Sequence, residues 1–208
     1  MTITVHHLEN SRSQRVLWLL EELCLPYEIK RYERNKATML APPELRAVHP
    51  LGKSPMIEHD GRTLIETGAI VEYLTALGGS LGVPADPDDA LRYTRFLHYA
   101  EGSLMPPLLL KLVLGRIPLF GKRAQKRIQP IIDVHLDWLE SELAQREWFA
   151  GAAMTAADIM MSFPLEAARS RAGLTADSHP RLAAWLDRIH ARPAYQAALA
   201  RGGPYAYA

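Results

Sequence analysis

Ser11 puts a hydroxyl where an anion would be favoured. It follows a short run of alternating apolar residues and precedes a run with helical spacing. A helix N-terminus there turns unpaired backbone N–H groups and the positive end of its dipole toward whatever lies in front of it. A plainer reading is that Ser11-x-x-Gln14 is a capping box, serving the helix and nothing else. Ser13 is a near competitor for the same chemistry, and Asn10 and Arg12 are also close. A second candidate pair, Glu66-Thr67, stands at the start of another helix, where the alternative is again an acid and a cap at a helix start. Lys53 is a local cation ahead of Pro55, although a lone surface lysine is usually only solvated.

Other chemistries are poorly served. His6 and His7 are adjacent on a strand and so face opposite ways, which prevents them from chelating one metal. No C-x-x-C, H-E-x-x-H, G-x-G-x-x-G or P-loop pattern occurs, so the common metal, nicotinamide and nucleotide readings fall away. The one cysteine, Cys24, rules out an internal disulfide. Its place at the end of an apolar helix face predicts a buried, inert thiol.

The elements that must position these residues alternate in the first part of the chain. Thr2 to Leu8 reads as a strand, and Val16, Leu17, Leu19, Leu20 and Leu23 mark a helix stopped by Pro26. Tyr27 to Tyr32 reads as a second strand, and Pro42-Pro43 opens an irregular or short helical stretch. Met56 to His59 and Arg62 to Ile65 flank Asp60-Gly61, the dipeptide favoured by a type I′ hairpin turn. Ile70, Val71, Leu74 and Leu77 then mark a helix closed by Gly78-Gly79. The order is βαβ, then ββα.

Residues 78–89, rich in Gly, Pro and Asp, are the natural linker, and no strand is predicted beyond them. Ile128, Ile131, Ile132, His135, Leu136, Leu139 and Leu143 form one apolar stripe of a helix that Pro130 is expected to kink early. Further helices are expected at Ala156 to Ala172, at Pro180 to Ala191 and after Pro193. Thr155 with Asp158 fits a capping box, with Met154 and Ile159 as its hydrophobic staple, and is a folding signal.

This architecture resembles the glutathione S-transferases over nearly the whole chain, and five segments carry the resemblance. They are Leu8-Glu9-Asn10-Ser11-Arg12-Ser13-Gln14-Arg15, similar to the active-site loop of serine-type bacterial and fungal members; His49-Pro50-Leu51-Gly52-Lys53-Ser54-Pro55; and Glu66-Thr67 with Ala69-Ile70-Val71-Glu72-Tyr73-Leu74. Thr155-Ala156-Ala157-Asp158-Ile159 and His179-Pro180 through Arg192-Pro193-Ala194-Tyr195 resemble helix-capping and C-terminal signatures in the second domain.

The resemblance implies an α/β thioredoxin-like glutathione-binding domain over residues 1–77, a linker over 78–89, and an all-α domain over 90–208 that contributes a hydrophobic acceptor pocket. It implies that Ser11 donates a hydrogen bond to the glutathione sulfur. It also implies a cis peptide bond before Pro55, with the backbone of Ser54 pairing with the cysteinyl part of glutathione. Ser54 departs from the β-branched residue usual there, which puts local packing in question. Glu66 and Thr67 would meet the γ-glutamyl ammonium and carboxylate, and Lys53 the glycyl carboxylate. Relatives often have glycine at the position of Cys24. Members with a cysteine nucleophile would carry it near Arg12, and this chain has none there, which lowers the thiol-disulfide reductase option.

The implied activity is addition of the glutathione thiolate to a hydrophobic electrophile, by a homodimer in which the first domain of one subunit packs on the helical domain of the other. Glutathione-dependent peroxidase or isomerase activity, or non-catalytic binding, are the alternatives on this scaffold. Tyr99, Met105, Tyr205 and Tyr207 are candidates for the acceptor pocket.

Composition sets the bounds. The chain has 208 residues, 48% hydrophobic and 23% charged, with a net charge of +1 from 24 basic and 23 acidic side chains. Such a balance gives no global field for nucleic acid or an anionic membrane. The most apolar stretch, Leu104 to Phe120, is interrupted by Pro106, Pro107, Lys111, Arg116 and Pro118, and is read as a buried helix with a broken start in preference to a membrane span. No leader pattern opens the chain, so a cytoplasmic location is expected and no metal is called for.

Overall fold

A computed structural model of the chain describes residues 2–207, which divide into two compact units. The first runs to Gly82 and includes His190–Ala206; the second is Val83–Ile189 with Tyr207.

The first unit is built on a four-stranded sheet in the order β2-β1-β3-β4, from β1 (Ile3–Leu8), β2 (Tyr27–Tyr32), β3 (Met56–His59) and β4 (Arg62–Ile65). β1 and β2 run parallel, joined through α1 (Ser13–Glu22), and Ile3 pairs with Tyr27 through to Leu8 with Tyr32. β3 lies antiparallel to both β1 and β4. This is the thioredoxin-like arrangement. Asp60 and Gly61 both have positive φ, 49° and 73°, as the type I′ turn between β3 and β4 requires. α2 (Leu45–Val48) is a single turn, and α3 (Thr67–Gly78) ends on Gly79 in the left-handed conformation.

α1 is buried on nearly every side. Val16, Leu17, Trp18, Leu19 and Leu20 are all fully covered. Part of that cover comes from the far end of the chain, because α9 (Pro193–Gly202) packs along α1. Tyr195 meets Trp18 edge to face at 5.3 Å. Arg192 grips Glu22 through Nε and Nη2 at 2.5 and 2.8 Å, and Arg201 donates to Glu21 at 2.9 Å. A two-pronged guanidinium–carboxylate pair fixes orientation as well as distance.

The second unit is helical. Asp86 caps α4 (Pro87–Tyr99) by accepting from the N–H groups of Asp88 and Asp89, with Pro87 at the first helical position. A π-helical turn at Ala100–Leu104 leads into α5 (Met105–Gly115). α6 (Gly121–Glu142), α7 (Ala156–Arg171) and α8 (Pro180–His190) complete it. α7 is the core element, with Ala156 through Ala168 buried without interruption.

Two expectations of burial fail. In α5 only Met105 and Leu108 are buried, while Leu109, Leu110, Val113 and the following Ile117, Leu119 and Phe120 are exposed. Apolar character all round a helix gives no indication of which side meets the core. In α6, Ile132, Leu136 and Leu139 are buried as predicted, but Ile131 is 51% exposed.

Candidate functional site

The site grows from the C-terminal end of β1. Leu8, the last residue of the strand, uses both of its peptide groups to bind the neighbouring loops. Its N–H donates to Ser54 Oγ at 3.3 Å, and its carbonyl accepts from Ser13 Oγ at 3.3 Å. Ser54 Oγ also donates to the carbonyl of His6 at 2.8 Å. The Ser54 hydroxyl thus continues the ladder between β1 and β3 at the point where the backbone turns away. A serine hydroxyl at this position has two backbone partners on β1.

The Ser54–Pro55 peptide bond is cis, as the resemblance led one to expect. Lys53, just before it, is exposed.

Ser11 and Ser13 lie on the other side of Leu8. Ser11 is 5% exposed, and its Oγ is 2.8 Å from Ser13 Oγ and accepts from the Ser13 N–H at 3.3 Å. The capping-box alternative for Ser11 is not what the chain adopts. Arg12, not Ser11, sits at the N-cap, and the side-chain amide of Gln14 is buried without a hydrogen-bond partner among the described residues. Ser11 is therefore one step outside the helix, with its oxygen facing Ser13. Asn10, with φ of 48°, uses its side-chain oxygen to accept from the Ala206 N–H at 2.7 Å.

One group that the sequence reading does not assign to the site, His7, joins the cluster. Ser13 Oγ is 2.8 Å from His7 Nδ1, so His7, Ser13 and Ser11 form one hydrogen-bonded chain. Burial first, and the Arg31 guanidinium second, push the pKa of His7 down to about 4, against a hydrogen bond to the Gly202 backbone that acts the other way. The imidazole is neutral at pH 7. His6 faces the opposite side of the sheet, between the Tyr32 hydroxyl at 2.9 Å and Glu58 at 3.0 Å.

Glu66 and Thr67 occupy the junction of β4 and α3, and α3 packs beside α1. Glu66 is the N-cap residue of α3 with φ 67° and ψ 121°, a conformation that side chains rarely adopt outside functional sites. Its side chain is exposed while Thr67 is buried. The first turn of α3 contains no acidic residue, so its free N–H groups are not pre-empted by a nearby carboxylate.

Cys24 corrects an expectation. It is exposed, with φ of 52°. A left-handed residue just after the helix is a position that glycine suits. The acceptor-pocket candidates are partly committed elsewhere. The Tyr99 hydroxyl bonds His135 at 2.5 Å, Met105 is buried, and Tyr207 bonds Arg171 at 3.0 Å. Among the described residues no cluster of three or more His, Cys, Asp or Glu could hold a metal ion, and no helix is long and apolar enough to cross a membrane.

Comparison with known proteins agrees with this geometry. Residues 1–76 match the family described as Glutathione S-transferase, N-terminal domain, and residues 104–193 match Glutathione S-transferase, C-terminal domain. The chain is 38% identical to Glutathione S-transferase 3 of Schizosaccharomyces pombe, over 92% of this chain and 84% of that one. It is 34% identical to Glutathione S-transferase 1 of Saccharomyces cerevisiae, over 94% and 93%. Among solved structures, a glutathione S-transferase from Actinobacillus pleuropneumoniae superposes with a TM-score of 0.87 at 31% identity, covering 99% of this chain and 95% of that one.

Proposed function

Because the chain belongs to the glutathione S-transferase family, we propose that it is a glutathione transferase in which Ser11 is the hydrogen-bond donor to the glutathione sulfur. The observation that carries the residue assignment is that Ser11 lies outside the helix, ahead of its N-terminus, with Arg12 at the N-cap position. Relatives solved with glutathione bound, such as the family member from Pseudomonas fluorescens at 26% identity and a TM-score of 0.80 over 95% of this chain and 92% of that one, support glutathione as the co-substrate. The second substrate is a small hydrophobic electrophile, and the protein works in the cytoplasm.

Glutathione is held by the first unit, over the division 1–77 expected from sequence. The backbone of Ser54, ahead of the cis bond to Pro55, pairs with its cysteinyl part, and Lys53 neutralises its glycyl carboxylate. Thr67 and the first-turn N–H groups of α3 receive the γ-glutamyl carboxylate, and Glu66 receives the ammonium.

Ser11 then shifts an equilibrium. A free thiol with a pKa of ~8.5 is roughly 3% ionised at pH 7, and lowering that pKa by ~2 units raises the fraction to roughly 75%. Because nucleophilicity falls with pKa, with a Brønsted slope of ~0.5, the net gain in rate is only about two- to threefold. Holding the electrophile against the sulfur supplies the larger part of the acceleration.

The test is a pH titration of thiolate absorbance in the glutathione complex. Ser11→Ala is expected to raise the pKa of the bound thiol by about one to two units, the worth of a hydrogen bond to a charged group, and to slow conjugation a few-fold at pH 7. Glutathione affinity should stay within a few-fold. An unchanged titration, with only a loss of stability, would remove Ser11 from the mechanism.

A homodimer is the proposed assembly. Its support in this chain is the apolar surface that α5 leaves uncovered, with Leu109, Leu110 and Val113 each close to half exposed. Light scattering at micromolar concentration should give twice the chain mass of 23.3 kDa, and a monomer mass would refute the assembly.

A further inference from the structure

The net charge of +1 conceals a local imbalance. Between Glu101 and Asp133 the chain has no acidic residue and six basic ones, Lys111, Arg116, Lys122, Arg123, Lys126 and Arg127. This stretch is α5, the turn after it and the first half of α6. Lys111 is partly buried and donates to Gln129. The other five are exposed, and none of their side chains has a hydrogen bond or ion pair among the described residues.

The turn carries an apolar tip. Ile117 is 47% exposed, Phe120 72% and Leu119 95%. Backbone fills the inside of the turn: the Gly121 N–H donates to the Ile117 carbonyl at 3.2 Å, and a Cβ on Gly121 would lie 2.1 Å from the Leu114 carbonyl oxygen. α5 and α6 therefore meet through main chain, and the side chains of the turn are left outside.

Three local rules are broken here without a compensating contact among the described residues. Leu119 has φ of 65°, a conformation costly to a residue with a side chain, and it presents that side chain to water. Four cations occupy the first two turns of α6, at the positive end of its dipole, with no acidic residue in the first turn. Lys122 with Lys126 and Arg123 with Arg127 are like-charge neighbours four residues apart, which repel. Costs that accumulate in one place mark a surface kept for a partner.

We propose that the α5–α6 turn docks the protein peripherally on an anionic lipid surface, with Leu119 and Phe120 entering the headgroup layer and the five free cations meeting lipid phosphates and carboxylates. Hydrocarbon serves the tip, and anionic headgroups relieve the repulsion among the cations. A nucleic acid would satisfy the cations and leave the apolar tip in water. A second copy of the same tip would bring like charges face to face. Because the whole chain is nearly neutral, docking depends on this one patch.

Cosedimentation with lipid vesicles tests this on the native protein. Binding is expected to phosphatidylcholine vesicles that contain phosphatidylserine, to be absent with phosphatidylcholine alone, and to be lost in about 1 M salt, where the screening length falls to ~3 Å. No binding to the anionic vesicles at low salt, or equal binding to both kinds, would overturn the proposal. Lys122→Gln, Arg123→Gln, Lys126→Gln and Arg127→Gln together should weaken binding roughly a hundredfold or more, at about fivefold for each charge near the surface. Leu119→Ser with Phe120→Ser should weaken it about tenfold or more while far-UV circular dichroism stays unchanged. Full binding by this apolar variant, or a nucleic acid oligonucleotide preferred to the vesicles by native protein and apolar variant alike, would assign the cations to a polyanion. An apolar variant that turns monomeric in light scattering while the native protein is a dimer would place the tip in the subunit contact. Each of these outcomes ends the proposal.

Discussion

Asp158→Ala is expected to lower the free energy of unfolding by about 3 to 5 kcal/mol, the cost of breaking a buried charged hydrogen-bond network. Asp158 is fully buried at the third position of α7. Its Oδ1 accepts from the Phe149 N–H at 2.9 Å, and its Oδ2 accepts from the Thr155 N–H at 2.9 Å and the Thr155 hydroxyl at 3.1 Å. Alanine would leave these donors buried without partners, and α7 is the element around which the helical unit is packed. The pH dependence is distinctive. Burial pushes the Asp158 pKa up to about 6 despite the donors around it, against 3.8 when unfolded. A raised carboxyl pKa means that the native state binds more protons between those values, so this group's contribution to stability is lost as pH rises from about 4 to 6. The gap between native protein and variant should therefore widen by up to about 3 kcal/mol on going from pH 7 to pH 4. The depressed pKa of His7 works in the opposite sense, destabilising the fold as pH falls from 6.5 toward 4, but it is present in both proteins and cancels from the gap. Denaturant unfolding at both pH values is the measurement. A gap that narrows in acid would show that Asp158 is not held above its ordinary pKa.

Glu66→Ala combined with Thr67→Ala is expected to weaken glutathione binding about a hundredfold or more. In the proposed placement each residue would supply a hydrogen bond to a charged group, worth about 1.5 kcal/mol or more, and 1.4 kcal/mol is a factor of ten in affinity. Calorimetric titration gives the answer directly, and unaffected binding would sink the placement of glutathione on α3. Glu66→Gly separates binding from folding. Glutamate is held at a positive φ that glycine adopts freely, so this single variant should lose affinity while its unfolding free energy stays level or rises. A variant that loses both would mean that Glu66 is there for the fold.

Much of the first unit was legible because each signal was local. The strands Tyr27–Tyr32, Met56–His59 and Arg62–Ile65 start and stop where alternation, Pro26 and Asp60-Gly61 say they should. Thr155 and Asp158 announced α7 in the same way. What escaped depends on distance in space. The start of α4 was hidden inside a stretch that reads as linker, although Asp86 followed by Pro87 is itself a cap followed by a first-turn proline. Ser11 and Gln14 have the spacing of a box, but spacing does not say which residue turns out of the helix, and Arg12 takes the cap. His7 reads as a strand histidine because the sequence does not say that Ser13 lies against its ring. Cys24 sits where apolar periodicity suggests burial, yet its backbone has already left the helix.

The return of α9 to the first unit bears on how the chain is made. During synthesis the sheet and α1 emerge well before α9, with the helical unit translated in between. Until then Trp18 has no Tyr195 ring edge to meet, Glu22 has no Arg192 and Glu21 has no Arg201. A nascent chain arrested short of α9 would therefore carry α1 with one packing face bare and two of its carboxylates without their arginines.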